Sequence, residues 1–262
     1  MSYSYWRSLK SRRNRYADLY MGKSVFDDRL KKVIEIALKI NKTCPSKRIL
    51  DVGCGDGVFT QFLGETLHAE EIYGVDLSGK AVKIARSKRV NAVKIDVNEQ
   101  DLPFQPEYFD LVFAGEVVEH LFDVDHFLTE VYRVLKLGGV FIITTPNLAS
   151  LYNRVAMLLG YQPFRTYVSI RNDVGHLVKI DRVENGVLGS SDHIRLFTYR
   201  SLYELLTVFD FKVVKSLGVH SRIFQTNYRL LRIVDATLSR IPSLSSTIIV
   251  WSEKKAKSVT QK

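Results

Sequence analysis

An apolar run that breaks into three glycines at alternate positions is the feature that most constrains how this chain folds. The run begins at Ile49 and reads Ile-Leu-Asp-Val-Gly-Cys-Gly-Asp-Gly through Gly57. Glycine adopts positive φ angles without steric cost, and its missing Cβ lets backbone N–H groups come close to a ligand. A plain tight turn needs only one or two glycines. The segment therefore predicts a buried strand that ends in a ligand-binding loop.

Apolar runs of strand length recur along the chain, and most of them alternate with segments of helical periodicity. Strands separated by helices favour right-handed crossovers and a mostly parallel sheet covered on both faces. The last run follows a long helical stretch, which suits an inserted antiparallel strand. We therefore predict an α/β fold with a Rossmann-like, doubly wound sheet in a single domain. The predicted strands are 48–52, 71–75, 92–95, 111–114, 140–144, 212–217 and 247–251, and the predicted helices are 27–40, 57–67, 78–87, 123–135, 202–208 and 221–241.

The connection between the fifth predicted strand and the next helix is several-fold longer than connections in compact domains usually are. It spans residues 148–197, and we interpret it as a helical lid or substrate-binding insertion. It begins with an amphipathic helix, 147–160, and continues through Tyr161, Pro163, Phe164 and Tyr167. Two interpretations stay open: a wall that holds an apolar or sugar-linked ligand, and a helix that simply packs on the body. The remaining divisions are a basic N-terminal segment, 1–29, the main domain, 30–252, which contains this insertion, and a basic C-terminal tail, 253–262.

The net charge of +10 is concentrated at the two ends of the chain. Residues 1–15 carry five basic side chains and no acid, and residues 253–262 carry four lysines and one glutamate. Basic tails can reach phosphates or an anionic membrane surface, but solvated termini show the same pattern. A peripheral membrane contact therefore stays open, and nucleic acid is the less favoured partner.

Two cysteines, Cys44 and Cys54, flank the first predicted strand. A disulfide at Cys54 would distort the glycine loop, so the chain is expected in a reducing, cytoplasmic compartment. The N-terminus is basic and aromatic rather than apolar, unlike a secretory signal, and no apolar stretch approaches the ~20 residues of a membrane span. The oligomeric state is left open.

Acidic residues at the ends of successive strands extend the predicted ligand site. In a doubly wound sheet the ligand lies beyond the carboxyl ends of the strands, at the topological switch point. Asp76 ends the second strand, where its carboxylate can accept hydrogen bonds from both ribose hydroxyls; it can also cap the following helix. Asp96 follows the third strand and can accept from the exocyclic amine of a base, with Leu77 packed on the base face.

The glycine spacing distinguishes between two kinds of nucleotide ligand. Dinucleotide sites use G-x-G-x-x-G, which brings a pyrophosphate to a helix N-terminus, whereas this loop reads G-x-G-x-G. Asp56 lies in the loop, and Asp51 lies near the end of the strand before it. Two carboxylates are unfavourable beside a pyrophosphate and acceptable beside a cationic ligand.

These residues together resemble the motifs of the class I S-adenosylmethionine-dependent methyltransferases. The matching segments are Leu50–Gly57, Gly74–Asp76, Asp96 with Leu102–Phe104, Phe109–Phe113 with Glu116–His120, and Leu135–Asn147. The resemblance implies S-adenosylmethionine as cofactor and a seven-stranded sheet whose last strand is antiparallel. The cofactor contacts it implies are Asp51, Gly53, Cys54, Gly55, Gly57, Asp76, Leu77, Asp96, Val97 and Glu116.

The segment from Glu116 to His120 carries the candidate chemistry. Methyl transfer from a sulfonium is an in-line displacement that needs alignment and, for a hydroxyl acceptor, a base. His120 is the best general base by residue type, and Glu119 is the second catalytic candidate. His176, in the lid, is a weaker base candidate.

Glu116, Glu119 and His120 form an E-x-x-E-H pattern that would share one face if the segment were helical. Carboxylates and an imidazole suit a divalent cation that acidifies a hydroxyl. The pattern resembles the ubiquinone-pathway O-methyltransferases and the terminal 2′-O-methyltransferases of small RNAs; in the latter a histidine after the lid completes the metal site, and His193 has that place here. Members of the family without a metal also carry such segments, so the metal and metal-free alternatives both stay open.

The expected activity is methyl transfer to a small molecule, with a hydroxyl of a lipid-linked, glycan or quinone-like metabolite favoured as acceptor. The Asn/Asp-Pro-Pro-Tyr motif typical of N-directed transfer is replaced by Ala114-Gly-Glu-Val. The first alternative is an RNA 2′-O-methyltransferase that uses a divalent metal. From other classes, an NAD-dependent oxidoreductase is disfavoured by the glycine spacing, and a non-catalytic nucleotide-binding protein remains. The acceptor itself, and the choice between O-, N- and C-methylation, are left open.

Overall fold

The computed structural model describes residues 27–169, 172–177, 193–219 and 240–256, with the short pieces 183–184, 187–188 and 237–238. The basic segment 1–26, the tail 257–262 and most of the predicted helix 221–241 lie outside the described residues. The helices are α1 (Asp28–Asn41), α2 (Val58–Leu67), α3 (Gly79–Ser87), α4 (Val124–Val134), α5 (Leu151–Leu158) and α6 (Tyr199–Val208), with a 3₁₀ turn at Val118–His120. The strands are β1 (Arg48–Val52), β2 (Glu71–Asp76), β3 (Asn91–Lys94), β4 (Phe109–Gly115), β5 (Leu135–Pro146), β6 (Val183–Glu184), β7 (Val187–Leu188), β8 (Phe211–Val219) and β9 (Thr247–Lys254).

One seven-stranded sheet has the order β3-β2-β1-β4-β5-β9-β8, and β6 and β7 form a separate small hairpin. β9 is antiparallel to both of its neighbours, and the other strand pairs of the large sheet are parallel. The predicted α/β fold, mostly parallel with an antiparallel last strand, is confirmed. Because the strand order reverses between β1 and β4, the switch point lies at the carboxyl ends of these two strands.

Helices cover both faces of the sheet. Apolar residues of α1 and α2 pack on one face, and those of α4 and α6 pack on the other. The central strands are buried on both sides, which explains why β1 and β5 read as near-continuous apolar runs. Adjacent residues of β1 serve opposite cores: Ile49 packs with α1 and α2, and Leu50 with α4 and α6.

Two helix boundaries differ from the prediction. Helix α4 ends at Val134, one residue before the predicted end, because β5 begins at Leu135, five residues before the predicted start at residue 140, and includes Gly138 and Gly139. Helix α6 begins at Tyr199, three residues before the predicted start at residue 202, because Thr198 is the N-cap and forms a capping box with Ser201. In both cases the apolar pattern located the helix, and the cap or strand pairing set its end.

The remaining fold-level expectations concern the thiols and the surface. Cys44 is exposed and Cys54 is buried, and both are free thiols. None of the described helices is long and apolar enough to cross a bilayer. The domain division at residues 29 and 30, and the boundaries of the lid, stay predictions; α1 itself begins at Asp28.

Candidate active site

The loop after β1 holds its glycines in the left-handed region, with φ of +76° at Gly53 and +53° at Gly55. A Cβ on Gly53 would lie 2.5 Å from Cγ2 of Val117, so the glycine lets this loop press against the turn after β4. A Cβ on Gly55 would meet none of the described atoms within 4 Å. The loop is thus closely packed on one side and open at Gly55, as a ligand-binding loop requires.

Asp76 ties the end of β2 to the glycine loop. Its Oδ2 accepts a hydrogen bond of 2.8 Å from the Gly55 N–H, and its Oδ1 accepts one of 2.8 Å from the Ser78 N–H. Ser78, rather than Asp76, caps α3, because its Oγ accepts from the Ala81 N–H. A carboxylate offers about four acceptor sites, so Asp76 keeps capacity for two ribose hydroxyls.

Asp96 and its neighbours continue this edge. The Asp96 Oδ1 accepts from the Asn98 N–H at 3.0 Å, which leaves its second oxygen as an acceptor. Leu77 is an exposed apolar side chain, whereas Val97 packs against the core. An exposed leucine between two acidic strand ends is the arrangement expected of a surface that stacks on a base. The assignments of Asp96 and Leu77 to the base of the cofactor stay predictions.

A partly buried ion pair fixes the loop that follows Asp96. The Glu130 Oε2 accepts from the Leu102 N–H at 2.7 Å and pairs with Arg133 at 2.7 Å. The Arg133 guanidinium also donates to the backbone carbonyls of Leu102 and Phe104. α4 therefore positions the loop at the predicted adenine end, and both pack in the same core cluster.

Asp51 is a buried carboxyl group beneath the glycine loop, with 3% of its surface exposed. Burial raises the pKa of Asp51 to about 7, the Thr60 hydroxyl that donates to it at 2.6 Å lowers the pKa, and the charge of Asp76 raises it. Burial also raises the pKa of the Cys54 thiol to about 12. Cys54 is therefore a neutral packing group, and Asp51 is poised to ionise when a cation comes near.

Glu116 adopts the left-handed region at φ +58°, directly after β4. Its Oε1 accepts from the Thr144 hydroxyl at 3.2 Å and lies 4.0 Å from Nε of Arg29, and its Oε2 lies 3.8 Å from Nη1 of Arg165. Arg29 also donates to the Thr144 hydroxyl at 3.0 Å. A Cβ on Gly115 would lie 2.9 Å from Arg29 Nη1, so the glycine makes room for this guanidinium.

Sequence reasoning missed both arginines. Arg29 lies in the first turn of α1, where a basic residue opposes the helix macrodipole, and that mismatch is the signal that could have identified it. Arg165 lies in an irregular part of the lid, and no periodicity or motif marks it. α1 and the lid therefore both contribute charge to the carboxyl ends of β4 and β5.

The E-x-x-E-H segment is not a continuous helix. Only Val118–His120 forms a 3₁₀ turn, and the left-handed backbone at Glu116 directs that carboxylate to Thr144. The expected common face is therefore not formed. Glu119, His120 and His193 instead come together, with one ligand atom from each within 4.8 Å of the others. Glu116 is outside this group, and its assignment as a metal ligand stays a prediction.

Backbone hydrogen bonds bring His193 to the turn. The Glu119 carbonyl accepts from the Ile194 N–H at 2.8 Å and from the Arg195 N–H at 2.9 Å. These bonds clamp the end of the lid to the turn after β4, and the rings of His120 and His193 meet edge to face with centroids 4.9 Å apart. Residues 73 positions apart in sequence thereby form one cluster.

Glu119 is the buried member of the cluster, with 1% of its surface exposed. Its Oε2 accepts from the Thr145 hydroxyl at 2.9 Å, and its Oε1 has no hydrogen-bond partner within the described part of the chain. Burial raises the pKa of Glu119 to about 8, and the charge of Glu116 contributes in the same direction. A buried oxygen of this kind needs a proton or a cation, so the donor set fits a divalent metal.

His176 has a different role from the other two histidines. Its Nδ1 pairs with Asp173, and its Nε2 lies 3.1 Å from the backbone carbonyls of both Pro163 and Thr166. Both ring nitrogens are therefore engaged within the lid. His176 fixes the lid backbone and is poorly placed to act as a base.

A cavity of about 620 Å³ opens beside Glu116 and the 3₁₀ turn. Its charged and polar lining includes Arg29, Glu116, Glu119, His120, Arg165 and His193, and its apolar lining includes Leu148, Tyr152, Phe164, Leu196 and Phe197. Because Val117 contacts Gly53, the cavity adjoins the glycine loop. A ligand that extends from that loop past Glu116 would meet a second molecule in this cavity.

Comparison with known proteins finds similarity to methyltransferases. Residues 50–143 match the family model described as a methyltransferase domain. Mouse mitochondrial ubiquinone biosynthesis O-methyltransferase is 34% identical over 130 residues, which cover 46% of this chain and 34% of that protein. A fatty-acid O-methyltransferase of Mycolicibacterium smegmatis is 39% identical over 102 residues, covering 37% of this chain and 36% of that protein. The chain thus spans little more than a third of the length of these two relatives.

Solved structures share the fold over most of the chain. An S-adenosylmethionine-dependent methyltransferase from Mesorhizobium loti has a TM-score of 0.56 and 20% identity, covering 86% of this chain and all of that one. The [4+2]-cyclase SpnF has a TM-score of 0.53 and 19% identity, covering 86% and 82%. The match of residues 50–143 to the methyltransferase-domain model supports the resemblance to the class I S-adenosylmethionine-dependent methyltransferases. The solved structures show the shared fold, which by itself does not determine the reaction.

The Asp76 assignment can be tested by measuring the affinity for S-adenosylhomocysteine. Asp76→Ala removes two charge-assisted hydrogen bonds to a ribose, so we expect binding of S-adenosylhomocysteine to weaken by about 10- to 100-fold. Calorimetric titration measures this change, and the exposed Asp101→Ala variant serves as control. Because Asp76 also holds the glycine loop, the melting temperature without ligand must be measured in parallel; unchanged affinity in a folded variant contradicts the assignment.

The buried Asp51 predicts a pH-dependent stability. Between its unfolded pKa near 3.8 and its folded pKa of about 7, the folded protein holds the extra proton, so Asp51 lowers stability as pH rises through this window. Asp51→Asn should therefore raise the melting temperature at pH 8 by several degrees, because each kcal/mol of stability shifts the melting temperature of a chain of this size by roughly 2–4 °C. At pH 4.5 the substitution should have much less effect. Thermal unfolding at both pH values, with Asp125→Asn as control, measures the difference. An equal effect at both pH values would show that Asp51 ionises normally.

Proposed function

We propose that this chain is an S-adenosylmethionine-dependent methyltransferase that methylates a hydroxyl group of a small amphipathic acceptor. The observation that carries the proposal is the contact of the glycine loop with the turn after β4, because it makes the cofactor loop and the 620 Å³ cavity adjacent. Neither part alone distinguishes a methyltransferase from a nucleotide-binding scaffold. Their junction at Glu116 is what an in-line transfer between two ligands requires.

The cofactor supplies an electrophilic methyl group on a positively charged sulfur. Asp76 would bind the ribose of the cofactor, and Asp96 and Leu77 would bind its base. The open side of the loop at Gly55 would lie against the part of the cofactor that joins the ribose to the sulfur. Asp51 and Glu116 provide negative charge towards the cationic end. Carboxylates aimed at a developing or existing positive charge are a favourable environment for such a ligand.

His120 is proposed as the general base. It lines the cavity on the turn that follows β4, close to the junction with the glycine loop. An acceptor hydroxyl would pass its proton to the imidazole while its oxygen forms the new bond to the methyl carbon, and the carbon–sulfur bond breaks with its electrons left on sulfur. Glu119, held by Thr145, lies behind His120 and limits the positions that the turn can adopt.

A divalent cation is proposed at Glu119, His120 and His193. The buried Oε1 of Glu119 and the two imidazoles supply one carboxylate and two nitrogen ligands, a set that suits transition metals. Such an ion would orient a hydroxyl and lower its pKa. In that case His120 serves as a ligand, and a second group or water takes the proton.

The acceptor is proposed to have an apolar body, as in lipid-linked or quinone-like metabolites. The aromatic and leucine side chains of the cavity support this, and the names of the relatives include ubiquinone and fatty-acid methyltransferases. The tip of α5 exposes Met157, Leu158 and Leu159, with Leu158 86% exposed. This apolar tip, at the far end of the helix whose first turn lines the cavity, together with the basic tails, favours peripheral contact with an anionic membrane.

The proposal predicts labelled methyl transfer into a lipid extract. The protein incubated with methyl-labelled S-adenosylmethionine and extracted membranes should place label in the organic phase. His120→Ala should reduce the rate by at least about 100-fold, the contribution typical of a general base. His126→Ala, at a partly exposed histidine in the first turn of α4 that does not line the cavity, is the matched control. A protein that binds the cofactor but labels no fraction of the extract would instead be a binding protein.

Metal binding has a readout that does not depend on activity. Added Co²⁺ should give visible absorption bands and raise the melting temperature of chelator-treated protein. The effect should be larger at pH 8 than at pH 6, because the metal displaces protons from its ligands. His193→Ala and Glu119→Gln should abolish it, and Glu116→Gln should leave it intact if Glu116 is not a ligand. If added Co²⁺ changes neither the absorption spectrum nor the melting temperature of chelator-treated protein, the metal site is refuted.

A further inference from the structure

We propose that Arg165 is an exchangeable specificity residue. A cationic group of the cofactor displaces it from Glu116, and its guanidinium then binds an oxyanion, carboxylate or phosphate, on the acceptor. This inference rests on the proposed methyltransferase function and adds the chemical class of the acceptor. It also predicts that cofactor and acceptor bind in a coupled manner.

Two guanidinium groups share the Glu116 carboxylate, and they are held with unequal strength. Arg29 is anchored by the Thr144 hydroxyl at 3.0 Å and by Asp27 at 3.7 Å, and 17% of its side chain is exposed. The side chain of Arg165 is 43% exposed, and its contact with Glu116 at 3.8 Å is its only ion pair among the described residues. A half-exposed ion pair of this length contributes little stability. A competing cation at Glu116 therefore displaces Arg165 before Arg29.

Backbone conformation also marks this pair. Glu116 at φ +58° and Arg165 at φ +62° both occupy the left-handed region, which is unfavourable for side chains with a Cβ. Glu116 follows the end of β4, and the other described non-glycine residues with positive φ, His68, Arg89, Glu107 and Asp210, also lie near helix or strand ends. Glu116 and Arg165 differ from these four because both line the cavity and contact each other. Such conformations concentrate where a ligand is clamped.

The displaced guanidinium needs a new anionic partner. Arg165 lines the cavity, so it is already positioned at the place proposed for the acceptor. The other two cavity arginines are engaged elsewhere: Arg29 with Thr144, and Arg195 with the backbone carbonyl of Phe122. Arginine binds carboxylates and phosphates through paired hydrogen bonds. Arg165 is thus the cation best suited to recognise an oxyanion on the acceptor.

If Arg165 exchanges between Glu116 and the acceptor, its removal should change cofactor affinity and acceptor affinity in opposite directions. Removing Arg165 removes a competitor for Glu116 and should strengthen cofactor binding. The same change removes the anion site and should weaken acceptor binding. By linkage, a bound cofactor must increase the affinity for an anion by the factor by which the anion increases the affinity for the cofactor. A residue that only supports the lid would weaken both.

The first experiment is calorimetric titration of S-adenosylmethionine into the wild type, Arg165→Gln and Arg154→Gln. Arg154 is a matched lid arginine whose guanidinium donates to the carbonyls of Ala149 and Ser243. We expect Arg165→Gln to bind about two- to fivefold more tightly at low salt, as befits a weak exposed pair, and Arg154→Gln to match the wild type. Equal or weaker binding by Arg165→Gln overturns the exchange. Wild type that does not bind the cofactor overturns the proposed function as well.

The second experiment probes the anion site with inorganic phosphate and acetate at matched ionic strength. In the wild type, the rise in melting temperature caused by the anion should be larger with S-adenosylmethionine present than without it. In Arg165→Gln this difference should vanish. A response to phosphate alone identifies a phosphate-bearing acceptor, and a response to acetate alone identifies a carboxylate. An anion effect that is independent of the cofactor, or that persists in Arg165→Gln, overturns the proposal.

Discussion

The parallel pairing of β1 with β4 is the constraint on which the rest of the site depends. It runs in register from Ile49 opposite Leu111 to Val52 opposite Ala114, so the two strands end side by side. The glycine loop after β1 and the turn after β4 then have to share the same space, and Gly53 can approach Val117 because it lacks a Cβ. A one-residue shift in this register would exchange the two faces of β1 between the cores and separate the loop from the cavity.

Negative charge held at low solvent exposure is the second organising feature. Asp51 and Glu119 are both buried, and burial raises their pKa values to about 7 and about 8. Each is therefore a stability cost near neutral pH that a nearby cation would relieve, either a cationic cofactor or a metal ion. Glu116, in contrast, is balanced by Arg29 and Arg165. The site is arranged to receive positive charge at three carboxylates.

The local sequence predicted the elements well and predicted their contacts poorly. β1 was predicted with the bounds it has, because its apolar run ends abruptly at a glycine loop. The Asp76 assignment gained a specific contact, the bond to Gly55, which a strand-end rule anticipates only in outline. The E-x-x-E-H pattern was misread as a helical face, because one left-handed residue, Glu116, turns its side chain away, and no spacing rule encodes that angle.

The amino-acid sequence by itself determined the α/β fold, the glycine loop and the row of acidic strand ends, because each depends on periodicity or on a residue's own conformational preference. Only the tertiary structure decided which distant groups meet. Arg29 reaches Glu116 because α1 packs beside β4, and His193 reaches His120 because the Glu119 carbonyl binds the backbone of residues 194 and 195. These contacts depend on long-range packing and backbone hydrogen bonds, which leave little trace in local sequence patterns.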